Sequence, residues 1–471
     1  MKSPKVVLLF IAAVAVPLRA GPPGALTAGA LWEAWPGVRV SPADPWSLRR
    51  SGLDATLASL DGEFPGLFSV ALEGTSAEGR RLAVLRLGSG PTTVLLWSQM
   101  HGDEPTATCA LLDVLSYLGR NRKIGAVPGL FSKLTIYLLP MLNPDGAERG
   151  TRRNAQGIDI NRDALRLQTP EGRFLKDARD RFGPAIGYNL HNQSPLTIAG
   201  KGGDEVALAL LSVPFDEALS ENEGRRTTKR LALLLCDALS PWASGKIARY
   251  DAGYTARAFG DSMTRWGTAT LLIETGGWNG PDEAGTLVRL NFVALLVSLE
   301  ALADGSLAQL DPAQYDTIPV VEREGLFDLL VREATVLGGD GLPPFLADVA
   351  LNRPIPFAGT GPRGRSGVVD LGDLSTFRGK EEIAGRGKIL VPAPPGGDEG
   401  WKKTLQRLTE SGLADGNGDL ILTPPRLSAE VKRWMPERQI LAPGYRGALL
   451  LLVPAGDGRL RLEARIDVSG R

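Results

Sequence analysis

Four short apolar runs, at residues 94–97, 134–141, 186–190 and 270–273, are each followed at once by polar residues, and helical patterns fill the intervals. Runs this short, rich in β-branched and aromatic side chains, read as strands buried on both faces, as parallel strands covered by helices are. The segment 105–118 opens on Pro105 and stops at Gly119, 230–239 follows, and 283–303 ends at Gly305. This alternation predicts an α/β fold: a mixed, mostly parallel sheet with helices on both faces. In such a sheet ligands gather beyond the carboxyl ends of the strands, so polar residues scattered along the chain converge there.

At 471 residues, 43% hydrophobic, the chain is long enough for more than one domain. The α/β unit is expected at 46–308, beginning with a helical patch at 46–60. Beyond it, 309–471 reads as a β-rich accessory region with strands at 327–336, 347–351 and 448–454, loops at 337–345 and 392–400, and a helix-like stretch at 401–411. The first residues combine Lys2 and Lys5, an apolar run at 6–16 and Leu18-Arg19-Ala20. That pattern predicts a signal peptide at 1–20 and an exported chain, periplasmic or extracellular. The run is shorter than the ~20 residues of a spanning helix, and every other long apolar stretch is interrupted by charge, so no membrane span is expected after cleavage. Residues 21–45 read as irregular. Lys plus Arg and Asp plus Glu both number 53, which gives no global field for nucleic acid or an acidic partner. Cys109 and Cys236 have the setting of core helix residues, and whether they pair is left open, as is the oligomeric state.

The polar groups that follow the four runs are His101 to Glu104, Asn143 to Gly146, His191 to Gln193 and Glu274 to Gly277. The chain has two histidines, and both fall in this set. A catalytic zinc site commonly uses three protein ligands and keeps one position open. With both cysteines placed in helices, such a site would need His101, His191 and a carboxylate, and Glu104, one turn from His101, is the natural third ligand. A lone His-x-x-Glu is more often a surface pair; the strand-end context raises its weight.

His101-Gly102-Asp103-Glu104, Asn143-Pro144-Asp145-Gly146, the run from Arg152 to Arg162, His191 and Ile273-Glu274-Thr275 occur in the order seen in zinc carboxypeptidases, and the chain resembles that family over roughly residues 50–300. The resemblance implies one zinc ion per chain on His101, Glu104 and His191, with Glu274 as general base and Arg152 stabilising the oxyanion. It further implies that Asn161, Arg162 and Tyr254 bind the substrate, a peptide with a free C-terminus. Asp103 and Asp163 depart from the family pattern, which has Arg and Asn there. Side-chain preference would be set between Tyr254 and Thr270, where Arg257, Asp261 and Arg265 offer opposing charges. The segment from Phe327 to Pro395 also resembles the small β-sandwich of amidohydrolases; it has no histidine, so an accessory role is expected. Alternatives are a zinc amidase or deacylase on the same scaffold, acting on cell-wall peptides or N-acyl amino acids, and a non-catalytic peptide or glycan binder.

Overall fold

Continuous apolar runs have no wet face, so they settle at the centre of a sheet. The computed structural model describes residues 26–251, 253–337, 343–353, 366–415, 419–434, 441–455 and 459–467. The expected signal peptide at 1–20 and part of the loop at 337–345 lie outside the described residues. In chain order the first strands are β1 (Ser69–Thr75), β2 (Arg81–Gly88), β3 (Thr92–Ser98), β4 (Leu134–Leu139), β5 (Ile186–Asn192), β6 (Ile198–Ala199), β7 (Leu208–Ser212), β8 (Ile247–Arg249) and β9 (Ala269–Thr275). All but β6 form one eight-stranded mixed sheet in the order β1-β2-β4-β3-β5-β9-β7-β8. The four runs expected from the sequence are β4, β3, β5 and β9, mutually parallel at its centre. β1, β2 and β7 join antiparallel, and β8 parallel to β7.

The helices of this unit are α1 (Ala28–Val38), α2 (Arg50–Glu63), α3 (Thr106–Asn121), α4 (Val127–Lys133), α5 (Pro144–Arg149), α6 (Pro170–Phe182), α7 (Glu223–Ala243), α8 (Phe259–Arg265) and α9 (Glu283–Asp304). They cover both faces, and β3 shows how. Val94 and Leu96 pack with α1, α3, α7 and α9, while Leu95 and Trp97 pack with α6 and α8. Two expectations need correction. Residues 28–38, read as irregular, form α1: Gly and Pro on either side hid a helical spacing in which Ala28, Leu31, Trp35 and Val38 are buried and Thr27 caps the start. α9 is long and apolar enough to cross a membrane, although no such segment was expected, because its charges lie toward its ends; two thirds of its apolar window is buried in the protein, against α1, α3, α4 and α7. Cys109 and Cys236 are both free.

The chain then continues through β10 (Val321–Glu322), β11 (Leu326–Val336), β12 (Phe345–Asn352), β13 (Gly367–Gly372), β14 (Arg378–Ala384), β15 (Ile389–Pro392), α10 (Gly397–Glu410), α11 (Pro424–Trp434), β16 (Leu449–Pro454) and β17 (Leu460–Ile466). β10 pairs antiparallel with β6 of the first unit. The other strands build a seven-stranded sheet, β13-β12-β11-β15-β16-β17 with β14 also on β11. The sheet continues past residue 395: β16 and β17 extend it, and Leu449 to Leu452 bury its two faces against separate clusters. This sheet docks on the first unit through the buried ion pair of Lys380 with Glu205, through Arg378 Nη1 on the Gly203 carbonyl at 3.0 Å, and through Asn279 Nδ2 on the Lys380 carbonyl at 3.2 Å.

Candidate functional site

Past the ends of β3 and β4 the backbone turns sharply. Gln99 and Met141 adopt left-handed φ values of 52° and 58°. Side chains rarely sit there, and such strain persists only where the surroundings enforce it. The enforcement is visible: Leu142 N donates to Ser98 O and Asn143 N to Gln99 O, each at 3.0 Å, and Gln99 Nε2 holds Gly102 O at 2.9 Å. Gly102 lies so close to the start of α5 that a Cβ would fall 2.0 Å from the Gly146 carbonyl carbon. The Asn-Pro-Asp-Gly segment thus acts as a scaffold. Asn143 Oδ1 caps α5 through Gly146 N at 2.9 Å, and the buried Asp145 accepts from Ser76 Oγ, Glu78 N and Arg80 Nη1 at 2.7, 3.0 and 2.7 Å.

On this platform His101, Glu104 and His191 converge, all buried, with one ligand atom from each within 4.8 Å of the others. Glu104 Oε1 is 2.8 Å from His101 Nδ1, Glu104 Oε2 is 2.7 Å from His191 Nδ1, and the two Nδ1 atoms are 3.2 Å apart. Two imidazole lone pairs at that separation repel unless a cation shares them. Two imidazoles and a carboxylate are also a donor set that zinc accepts while keeping a position open. His101 Nε2 meets Asp159 Oδ1 at 3.2 Å, so the ring is oriented by a carboxylate behind it.

The electrostatics express the same demand for positive charge. Burial works against the His101 imidazolium, yet Glu104 and Asp159 outweigh it and hold the ring up to about 9. Burial also opposes the Glu104 carboxylate, but the imidazoles of His101 and His191 hold it well below the usual carboxylate range. His191 is lowered, chiefly by burial. Asp103 is pushed up to about 7 by burial and by the charge of Glu104.

Glu274 stands beside this cluster, because β5 and β9 pair in a register that sets His191 opposite Glu274. Burial first, and the Glu104 charge second, push its carboxyl well above the ordinary range, while His101, Arg152 and Arg323 pull the other way. Its Oε2 is shielded from solvent and has no hydrogen-bond partner among the described residues. Arg152 is about one-third exposed; it binds Asp159 Oδ2 through Nε at 3.1 Å and reaches His101 Nδ1 through Nη1 at 3.0 Å. Asn161 Oδ1 accepts from Phe259 N at 2.8 Å, at the start of α8, and the exposed Arg162 holds the Asn161 carbonyl at 2.6 Å. Tyr254 is half-buried on the loop before α8 and, among the described residues, takes no part in the hydrogen bonds of the cluster.

Asp163 is a turn organiser: its oxygens accept from Gln168 N, Thr169 N and Thr169 Oγ1 at 2.9, 2.7 and 2.7 Å. Of the three charges weighed before Thr270, Arg257 and Arg265 are exposed, while Asp261 is half-buried and accepts from Thr255 N at 2.8 Å. Sequence reasoning gave no role to Asp159, although it sits within the Arg152 to Arg162 run. It also passed over Arg323 and Glu205, whose settings depend on how the second unit docks.

A family model described as zinc carboxypeptidase matches residues 53–183. The chain is 26% identical over 233 residues to a protein named probable carboxypeptidase 2 from Arthroderma benhamiae, covering 44% of each chain. It is 29% identical over 194 residues to carboxypeptidase D of Drosophila melanogaster, covering 36% of this chain and 14% of that one. The chain thus spans less than half the length of these curated relatives. Among solved structures, a metallo-carboxypeptidase from Pseudomonas aeruginosa in complex with (2-guanidinoethylmercapto)succinic acid aligns over 54% of this chain and 69% of its own, at 20% identity and a TM-score of 0.44.

Proposed function

We propose that this chain, whose residues 53–183 match the zinc carboxypeptidase family model, hydrolyses the last peptide bond of peptides with a free C-terminus. The observation that carries this reading is the meeting of His101, Glu104 and His191 around one point beside Glu274. We assign the ion to these three side chains; when bound, zinc acidifies water and polarises a carbonyl.

The remaining work falls to the chain's own groups. Glu274, beside the three candidate ligands, takes the proton of the attacking water and delivers it to the leaving amine. Arg152 donates to the developing oxyanion. Its Nη1 lies 3.0 Å from His101 Nδ1, which places the guanidinium beside the residues that would hold the ion. Asn161 and Arg162 hold the terminal carboxylate, for which a planar guanidinium offers two parallel hydrogen bonds. Tyr254, on the loop before α8, completes the substrate contacts. We take 46–308 as the catalytic unit and 309–471 as accessory, and place the enzyme outside the cytoplasm because of the basic and apolar pattern of residues 2–16.

The test is turnover of matched peptides with free and amidated C-termini by the zinc-loaded chain. Loss of turnover on amidation supports recognition of the end. Equal turnover of both would move the reading to the amidase or deacylase alternative.

A further inference from the structure

Glu274 is the next-to-last residue of β9, and the backbone leaves the sheet directly after it. Gly276 N donates to Ala207 O and Gly277 N to Val206 O, each at 2.9 Å, while Gln193 N donates to Thr275 O at 2.7 Å. The fit requires both glycines: a Cβ on Gly276 would fall 2.1 Å from Val206 O, and one on Gly277 would fall 2.3 Å from Glu205 Oε1. The Glu205 carboxylate therefore rests against the backbone three residues past Glu274.

Glu205 is buried, and a buried carboxylate needs a partner. The partner comes from the second sheet. Lys380, on β14, forms an ion pair with Glu205, and its carbonyl accepts from Asn279 Nδ2 at 3.2 Å. One residue thus grips the turn at two points, through Glu205 at Gly277 and through Asn279 two residues on. Arg378 shares the face of β14 with Lys380 and holds the Gly203 carbonyl at 3.0 Å, just before Glu205. β14 is itself fixed by six parallel pairings to β11, from Leu326 with Arg378 to Arg332 with Ala384. The candidate zinc ligands have other supports, since His101 and Glu104 stand on the turn packed against α5 and His191 lies within β5.

We propose that Lys380 is a positioning residue for Glu274: the second sheet braces the turn behind the general base through the Lys380–Glu205 pair and the Asn279 contact, and the base keeps its reach to the attacking water only while that brace is in place. The inference rests on the carboxypeptidase reading above. It gives the region after 309 a part in the chemical step, although Lys380 lies outside the cluster of His101, Glu104 and His191. Loss of the brace shifts the base relative to the ion and leaves the ion bound.

The experiment uses the full zinc-loaded chain and a peptide with a free C-terminus. Lys380→Met lowers kcat roughly 10–100-fold, the cost of about an ångström of misplacement, with KM and zinc content near those of the unaltered chain. Lys380→Met combined with Glu205→Gln removes the unpaired buried charge and restores the melting temperature, yet kcat stays low; this variant carries the comparison if Lys380→Met alone does not fold. In a Glu274→Gln background, Lys380→Met lowers the residual kcat by less than about twofold, because both changes act on one step. An unchanged kcat in Lys380→Met overturns the brace. So does a kcat that recovers with the melting temperature in the double variant, zinc loss from that variant, or an equal fold-loss with and without the Glu274 carboxylate. Turnover by the unaltered chain leaves the carboxypeptidase reading standing in each of these cases, whereas no turnover of any peptide removes both.

Discussion

The 3.2 Å contact between His101 Nε2 and Asp159 Oδ1 decides which ring nitrogen is turned toward Glu104 and His191. Asp159 is held well below the usual carboxylate range: burial opposes its charge, but His101 and Arg152 outweigh it. As a carboxylate it can only accept, so Nε2 carries the proton and Nδ1 faces the cluster. Asp159→Ala should weaken zinc binding roughly 10–100-fold, read by competition with a chelator. Glu274→Gln should keep the metal and lower kcat by roughly 10²–10⁴-fold, while His191→Ala loses both; full activity in Glu274→Gln would refute the general-base role. Asp261 offers a pH test. Burial pushes its carboxyl up to about 6, against the pull of the Thr255 N–H and the Arg162 charge, whereas the unfolded chain holds an Asp near roughly 3.9. Between those values the folded chain binds more protons, so the stability this group contributes on the acid side is lost as pH rises through about 6. Asp261→Asn should therefore gain on the unaltered chain from pH 4 to 7 by on the order of 1–2 kcal/mol, measured by denaturant unfolding.

At the scale of elements, the close approach of the His101–Glu104 turn to α5 makes Gly102 irreplaceable. Gly102→Ala would force a methyl group against the Gly146 backbone and should cost about 2–4 kcal/mol together with metal retention, while Gly129→Ala, with open space at its Cβ, should be near neutral on a thermal melt. The central strands were legible in the sequence because burial on both faces leaves an unbroken apolar run, and the catalytic residue types stood directly after them. Other elements were not. β7 lies in the Ala- and Leu-rich run from Val206 to Leu211, which has the texture of a helix, and α1 was masked by neighbouring Pro and Gly. The three candidate ligands could be named from residue type and order, yet Asp159 could not be singled out, because a carboxylate behind a histidine differs from one in a turn only through distant packing. Sequence showed the β-rich texture after 309 but not that β16 and β17 share a sheet with β11, a pairing set by long-range register.

For the whole molecule, the contact that matters most is Lys380 with Glu205. Burial pushes the Glu205 carboxyl up while Lys380 draws it down, and a Cβ on Gly277 would lie 2.3 Å from Glu205 Oε1. The second sheet therefore presses a paired carboxylate onto the backbone just beyond Glu274. Lys380→Met should destabilise the chain by about 3 kcal/mol at pH 8 by stranding a buried charge, less at pH 5 where Glu205 can protonate, and adding Glu205→Gln should restore most of the loss; equal destabilisation at both pH values would count against the pair. The short ribbon of β6 with β10 carries a consequence in time. The loop after His191 finds its partner strand only once residue 322 has emerged, and Lys380 reaches Glu205 later still. A chain made from its first residue onward thus carries the loop after His191 without its partner strand until the joining segment has followed the first unit.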